Sequence, residues 1–133
     1  MKKKYIVILA IFAFIALAAT IAAIQFNSVK ANLDKLDEMV ISDVDLSNAE
    51  DGIYEGSYKS FPVTARVKVT INDHKITAID LVEHITGQGH GAEVLPARVV
   101  EKQTLQLDSI SGATYSSKVI LKAIETALKG AAK

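Results

Sequence analysis

Residues 63–71 read Val63-Thr64-Ala65-Arg66-Val67-Lys68-Val69-Thr70-Ile71. Apolar and polar side chains alternate along the whole stretch, which is the period of two that a half-buried β-strand shows. Residues 72–75 (Asn-Asp-His-Lys) are typical of a tight turn, and residues 76–85 predict the strand that returns from it. Residues 52–59 predict a third strand. A small antiparallel sheet is therefore expected at the start of the folded part.

The return strand is irregular, because its apolar phase shifts between Ala78 and Ile79. Such a shift predicts either a β-bulge at this point or burial of both faces of the strand.

Two helices are expected after the sheet. Residues 92–105 predict the first, and since Pro96 is tolerated only in a first helical turn, it should begin near Glu93 or Val94. Residues 115–129 predict the second, which Gly130 would end. The apolar residues that should face inward are Leu95, Val99, Ile120, Ala123, Ile124, Ala127 and Leu128. The predicted fold class is α+β, a small antiparallel β-sheet with two helices packed on it.

Length and composition limit what this chain can be. It has 133 residues, enough for one ordinary domain, and it contains no cysteine. Disulfides, iron–sulfur clusters and cysteine-ligated zinc are therefore excluded. Removing Lys2, Lys3 and Lys4 from the 15 basic residues leaves 12 against 15 acidic ones, and this mildly acidic balance disfavours nucleic-acid binding.

The N-terminal segment is apolar enough to cross a membrane. Residues 5–24 carry no charge, and as a helix of about 1.5 Å per residue they would span about 30 Å, one hydrocarbon thickness. The three lysines in front favour a cytoplasmic N-terminus. We expect residues 1–26 to be a single-pass anchor in the cell membrane, with the C-terminal domain outside the cytoplasm. The alternative is a cleaved signal peptide, since Ala18, Ala19, Ala22 and Ala23 offer small residues for processing.

A stalk or linker is expected between the anchor and the folded domain, over residues 27–50. Val29, Leu33, Leu36 and Val40 form a helical apolar stripe that predicts either a continuation of the membrane helix or a partly ordered spacer. The stretch from Ser42 to Asp51 is acidic and polar, which places the domain boundary near Asp51. The folded domain would then occupy residues 51–133.

The first candidate for chemistry is a glycine-rich stretch, Thr86-Gly87-Gln88-Gly89-His90-Gly91. With Ala92 it loosely fits a dinucleotide-binding fingerprint, but that fold needs parallel βαβ units, whereas the preceding strand belongs to a hairpin. Two interpretations stay open: bare peptide on which a planar ligand packs, and a purely structural turn.

Histidines and carboxylates near this stretch are a second candidate. His84, His90, Glu83 and Glu93 could gather a metal ion, yet the chain has no His-Glu-x-x-His spacing and no third histidine nearby. The sequence therefore predicts no metal site.

The third candidate is the stretch Asp108-Ser109-Ile110-Ser111-Gly112-Ala113-Thr114, followed by Tyr115-Ser116-Ser117. It delivers hydroxyl groups to the start of the last predicted helix, where free N–H groups and the helix dipole favour an anion. Two interpretations stay open here as well: a helix cap made by a serine or threonine, and a phosphate site.

Residues 51–133 resemble the FMN-binding domain found in the C and G subunits of ion-pumping NADH:quinone and ferredoxin oxidoreductases. Four parts carry the resemblance: residues 51–56, the hairpin, His84 with Gly87-Gln88-Gly89, and residues 108–117. The last part matches the flavinylation pattern of Asp, two variable residues, Ser or Thr, Gly, Ala, and Ser or Thr. The pump subunits carry a Thr-Pro-Gly-Leu-Gly stretch that is absent here, so the chain is more similar to a small stand-alone, membrane-anchored member.

The resemblance implies a covalent flavin. In that family the last threonine of the pattern, here Thr114, carries FMN through a phosphoester made by a flavin transferase that uses FAD and magnesium. Asp108, Ser111, Gly112 and Ala113 would be read by the transferase, and Tyr115, Ser116 and Ser117 would help hold the phosphate. The residues implied near the flavin ring are His84, Thr86, Gly87, Gln88 and Gly89.

The function so implied is electron transfer between redox partners in or outside the membrane. Two alternatives are a flavin-dependent reductase of a small acceptor and a module that binds FMN without a covalent bond. The sequence leaves open whether the chain is an enzyme in its own right, although an electron-transfer component is favoured.

Overall fold

The computed structural model describes residues 2–132 and confirms the predicted α+β fold behind one long apolar helix. The elements in chain order are α1 (Lys2–Asp37), β1 (Gly52–Ser60), β2 (Val63–Asn72), β3 (Lys75–Ile85), a 3-10 segment (His90–Val94), α2 (Leu95–Lys102) and α3 (Thr114–Ala131).

The sheet is antiparallel with the order β1-β2-β3. β2 lies in the centre, and its alternate side chains, Val63, Ala65, Val67, Val69 and Ile71, are all buried as the alternation predicts. The opposite face carries polar groups, such as Arg66, whose guanidinium lies 3.7 Å from the Glu55 carboxylate and 3.5 Å from that of Glu83. One apolar face is thus left for the helices to cover.

β3 contains two β-bulges, but neither lies between Ala78 and Ile79, where the shift in apolar phase predicted either a bulge or burial of both faces. The register against β2 shifts at Thr77 and again at Val82. The turn itself is regular: Asp73 and His74 both have positive φ, as in the tightest hairpin turns, and pairing begins directly beside them with Asn72 opposite Lys75, so the bulge at Thr77 lies beyond the turn.

The second bulge has a larger effect on the molecule. Because β3 gains one residue at Val82, Glu83 pairs with exposed Arg66, and His84 pairs with fully buried Ala65. A strand alternates its side chains between faces, so this single extra residue turns His84 toward the covered face of the sheet.

α3 covers β1 and β2, and α2 packs against β3. The predicted apolar face of α3 is buried in full, together with Val119 and Leu121. One carboxylate is buried on this helix as well: Glu125 is 2% exposed, and its Oε2 lies 3.0 Å from the ammonium group of Lys122, while Lys129 pairs with its other oxygen. Burial raises the pKa of Glu125, but these two lysine contacts outweigh it and hold the pKa below its usual value.

α2 is shorter than predicted at its C-terminal end. Pro96 lies in its first turn as expected, but the helix ends at Lys102 because Gln103 adopts a left-handed conformation. The Gln103 amide then donates hydrogen bonds to the carbonyls of Val100 and Ile76, at 2.7 Å each, and its side-chain oxygen accepts one from the Ile76 amide. These contacts tie the end of α2 to the start of β3.

α1 continues into the predicted stalk of residues 27–50 but ends at Asp37, so Val40 lies beyond the helix and is exposed. Its apolar N-terminal part is long enough to cross a membrane and is exposed throughout, a property that signal sequences share. Its C-terminal end is docked: Leu36 is buried, and the Lys118 ammonium on α3 donates to the Leu36 carbonyl at 2.9 Å.

The linker after α1 also packs on the domain. Both carboxylate oxygens of Asp43 accept a hydrogen bond from the Thr104 hydroxyl, Asp43 also accepts from the Leu105 amide, and Ala49 is buried. The chain between the apolar helix and the sheet therefore lies along the domain over much of its length.

The approach of β1 to α3 is so close that only glycine fits at position 56. A Cβ atom on Gly56 would overlap the Ala123 carbonyl oxygen and the Ala127 amide nitrogen, both of them backbone atoms. We expect Gly56→Ala to lower the free energy of unfolding by about 1–3 kcal/mol, the usual cost of overpacking. Gly130→Ala, in α3 at a position where a Cβ would meet open space, is the matched control and should leave stability equal or slightly higher. Equal thermal unfolding of the two variants would contradict the packing described here.

Candidate functional site

A groove of about 290 Å³ lies where α3 begins. Its walls come from four parts of the chain: the first turn of α3, the loop after β3, the β1–β2 turn and the docked end of α1. The lining residues are Val29, Leu33, Pro62, Val63, Thr86, Gly87, Gln88, Gly89, Gly112, Ala113, Thr114, Tyr115 and Ser116. The volume is near the lower end of the range of about 300–1,000 Å³ for small-molecule sites.

The start of α3 carries no side-chain cap. The N-cap residue is Ala113, which has no polar side chain, and no capping hydrogen bond is made. The nearby Ser117 hydroxyl is used elsewhere, since it accepts from the Ile110 amide at 3.0 Å and donates to the Ala113 carbonyl at 2.7 Å. The helix-cap interpretation of this stretch is therefore wrong, and the first-turn amides of residues 114–116 have no intrahelical partner.

Thr114 is the first residue of α3, and it is exposed at the edge of the groove. Gly112 precedes it with φ of +77°, a backbone conformation that favours glycine, and a Cβ at this position would meet no atom within 4 Å. A threonine hydroxyl, uncapped helix amides and unobstructed backbone thus meet in one place, which is the set of features that binds phosphate groups.

The opposite wall is built from bare peptide. A Cβ on Gly89 would overlap the Ser116 side chain and the Thr86 hydroxyl, so the loop after β3 lies directly against the first turn of α3. Gly87, by contrast, has nothing within 4 Å of its Cβ position. The loop therefore presents an accessible backbone surface at Gly87 and a tightly held one at Gly89.

A chain of hydrogen bonds runs behind this wall. The Ser116 hydroxyl donates to the Thr86 hydroxyl at 3.0 Å, and Thr86 also accepts from the Gly89 amide at 3.0 Å. The His84 Nε2 atom lies 3.0 Å from the Ser116 hydroxyl, and His84 Nδ1 lies 2.9 Å from Glu93 Oε1. The His84 side chain is only 3% exposed, so its contacts fix it firmly beside the groove.

One oxygen of Glu93 lies within hydrogen-bond distance of two histidines. His90 Nδ1 lies 3.0 Å from the same Oε1 atom that faces His84. The hydrogen bonds from His84 and then from His90 hold the pKa of Glu93 below its usual value, against a smaller opposing effect of burial. The carboxylate is therefore ionised at neutral pH.

The groove is closed on its far side by the stalk and the β1–β2 turn. The Tyr115 hydroxyl donates to the Phe61 carbonyl at 2.7 Å, and the Asn32 amide of α1 donates to the same carbonyl at 3.1 Å. One carbonyl oxygen thus holds α1 and α3 to the same turn.

Most residues that the sequence singled out line this groove: Thr86, Gly87, Gln88, Gly89, Gly112, Ala113, Thr114, Tyr115 and Ser116. His84 lies one hydrogen bond behind them, through Ser116. Ser117 is buried in the first turns of α3, and Ser111 is exposed next to Gly112. Asp108 lies apart, exposed at a separate depression bordered by Met39, Ile41 and Lys118.

Four lining residues were not predicted: Val29, Leu33, Pro62 and Val63. Val29 and Leu33 belong to the apolar stripe of the stalk. The stripe indicated that this face of the helix is covered, but it did not indicate which part of the chain covers it. Nothing in the local sequence marked Pro62 and Val63 as part of a site.

Comparison with known proteins agrees with this geometry. The family model of the FMN-binding domain matches residues 61–129, which spans β2, β3, α2 and nearly all of α3. An "Uncharacterized protein" of Treponema pallidum (strain Nichols) is 30% identical over 83 residues, covering 60% of this chain. The chain spans only 23% of the length of that relative. Because the family match covers more than half of the sequence and includes most of the residues that line the groove, the chain belongs to the FMN-binding domain family, and its cofactor is FMN.

Proposed function

We propose that this protein is a membrane-anchored electron carrier outside the cytoplasm, with FMN tethered by a phosphoester to Thr114. The observation that carries the proposal is the exposed Thr114 hydroxyl at the uncapped start of α3, on the edge of a groove whose other wall is bare peptide. FMN supplies the redox chemistry when bound, and the protein holds and surrounds it.

The residues present fit this cofactor. Thr114 and the amides of residues 114–116 would hold the phosphate, because a helix start without a cap offers N–H groups and a favourable dipole. The peptide at residues 86–89 and the apolar side chains of Val29, Leu33 and Pro62 would border the flavin ring. The full set that we propose as the cofactor site remains the one expected from the sequence, with His84 acting through Ser116.

The tether requires a separate flavin transferase. In the proposed step the Thr114 Oγ1 atom bonds to the FMN phosphorus of FAD, the bond between the two phosphates breaks, AMP leaves, and the threonine proton passes to a base or to solvent. The exposure of Asp108, Ser111 and Gly112 supports their role as the segment that the transferase reads, since all three lie on the surface before Thr114. A covalent bond also suits a carrier whose cofactor would otherwise be diluted outside the cell.

The position of the groove along α1 supports a partner at the membrane. Val29 and Leu33 follow Ile24, the expected end of the membrane span, by five and nine residues. At about 1.5 Å per residue, the groove lies about 7–14 Å along the helix from that end. Redox partners in the membrane or close to its outer surface would therefore reach the flavin.

Thr114→Ala should abolish covalent flavin, whereas Thr114→Ser should largely keep it, because only the second variant retains a hydroxyl at the start of α3. Each chain is coexpressed with a flavin transferase, denatured, separated by electrophoresis and examined for flavin fluorescence. Thr126→Ala, which removes an exposed threonine hydroxyl further along α3, is the matched control and should match the unmodified sequence. Fluorescence of Thr114→Ala equal to that of the unmodified sequence would reject Thr114 as the tether.

Gly89→Ala should reduce both flavin content and thermal stability, because its Cβ would displace Ser116 from the wall of the groove. Gly91→Ala, two residues further on in the 3-10 segment, is the control, since a Cβ there makes only ordinary contacts, with Ile110 at 3.5 Å. The flavin-to-protein ratio and the unfolding temperature of each purified variant test this prediction. A Gly89→Ala protein with unchanged flavin content and stability would contradict the proposed wall.

A further inference from the structure

Three side chains of the types that ligate metal ions converge beside the groove. His84 comes from the end of β3, while His90 and Glu93 come from the 3-10 segment that follows. His84 Nδ1 and His90 Nδ1 lie 2.9 and 3.0 Å from Glu93 Oε1, and all three donor atoms lie within 4.8 Å of one another. The spacing in the sequence predicted no metal site, because the two histidines are not on one helical face and only the fold joins them.

One ring nitrogen of His84 is already engaged on the groove side. His84 Nε2 lies 3.0 Å from the Ser116 hydroxyl, which lies 3.0 Å from the Thr86 hydroxyl. The other ring nitrogen, Nδ1, is thereby directed at Glu93 Oε1, 2.9 Å away.

A metal ion held between these atoms would join all three donors that converge here, including His90. A histidine that ligates through one nitrogen and donates the other N–H to a fixed oxygen is the usual arrangement in metal sites. Ser116 provides that fixed oxygen, because it is 1% exposed and hydrogen-bonded on both sides.

We propose that His84 Nδ1, His90 Nδ1 and Glu93 form a site for a divalent transition-metal ion of the zinc type, with solvent at the fourth position. Zinc binds histidine nitrogen and carboxylate oxygen at about 2.0–2.2 Å, which in a tetrahedron places the donors about 3.3 Å apart. The two distances to Glu93 Oε1 are already close to this value. The His90 side chain is 67% exposed, so it is free to rotate by the small amount that equal spacing requires.

The site would connect directly to the groove. Its most buried ligand, His84, reaches Ser116, and Ser116 and Thr86 both line the groove. A metal ion there would fix the His84 ring, and with it the hydrogen-bond chain that holds Gly89 against α3.

The test measures zinc binding to the full-length chain in detergent, produced without a polyhistidine tag and stripped of metal with a chelator. We expect one Zn²⁺ per chain by elemental analysis after dialysis. In calorimetric titrations, His90→Ala and Glu93→Gln should each weaken binding by at least about tenfold, since even loss of an outer-shell partner costs about 10–100-fold. Both side chains are substantially exposed, so these variants should keep the unfolding temperature.

His74→Asn is the matched control, because His74 is an exposed histidine in the β2–β3 turn and asparagine tolerates its positive φ. Its zinc affinity should equal that of the unmodified sequence. Absence of stoichiometric zinc, or equal affinity in His90→Ala and the unmodified sequence, would overturn the proposal and leave Glu93 as an acceptor of two N–H groups. Because the readout is bound metal, the result does not depend on how FMN is attached.

Discussion

The packing of α3 on the central strand determines where the site lies. The buried row of β2 side chains leaves one apolar face, and α3 covers it so closely that β1 needs a glycine at position 56. Since the helix cannot shift along the sheet without overlap of backbone atoms, its first residue, Thr114, has a fixed position. A rigid helix start is what a tethering hydroxyl and a set of phosphate-binding amides require.

The second constraint is the contact between Gly89 and Ser116, which joins the loop after β3 to the first turn of α3. The contact places bare peptide opposite Thr114, and it also places Ser116 within reach of His84. The groove and the histidine cluster are thus two sides of one junction. The stalk adds a third side through Asn32, whose hydrogen bond to the Phe61 carbonyl ties α1 to the same junction.

Patterns with strong local periodicity could be read from the sequence. The alternation in residues 63–71 predicted the central strand, and the flavinylation pattern led to Thr114, since both depend on neighbouring residues alone. The position of His84 could not be predicted, because a one-residue bulge at Val82 decides which face it occupies and no single residue type marks a bulge. The convergence of His90 and Glu93 on His84 depends on that same bulge. Val29 and Leu33 were recognised as an apolar stripe, but only docking of the stalk assigns them to the groove.

The intact mass of the full-length protein, purified from its own membranes, tests the central claim most directly. The account predicts a gain equal to one FMN less one water, and fragmentation should map this gain to Thr114. The same measurement reports whether residues 1–26 are still present, because their loss would lower the mass by a known amount. An unmodified chain, or a flavin attached to any other residue, would contradict the tethered carrier proposed here.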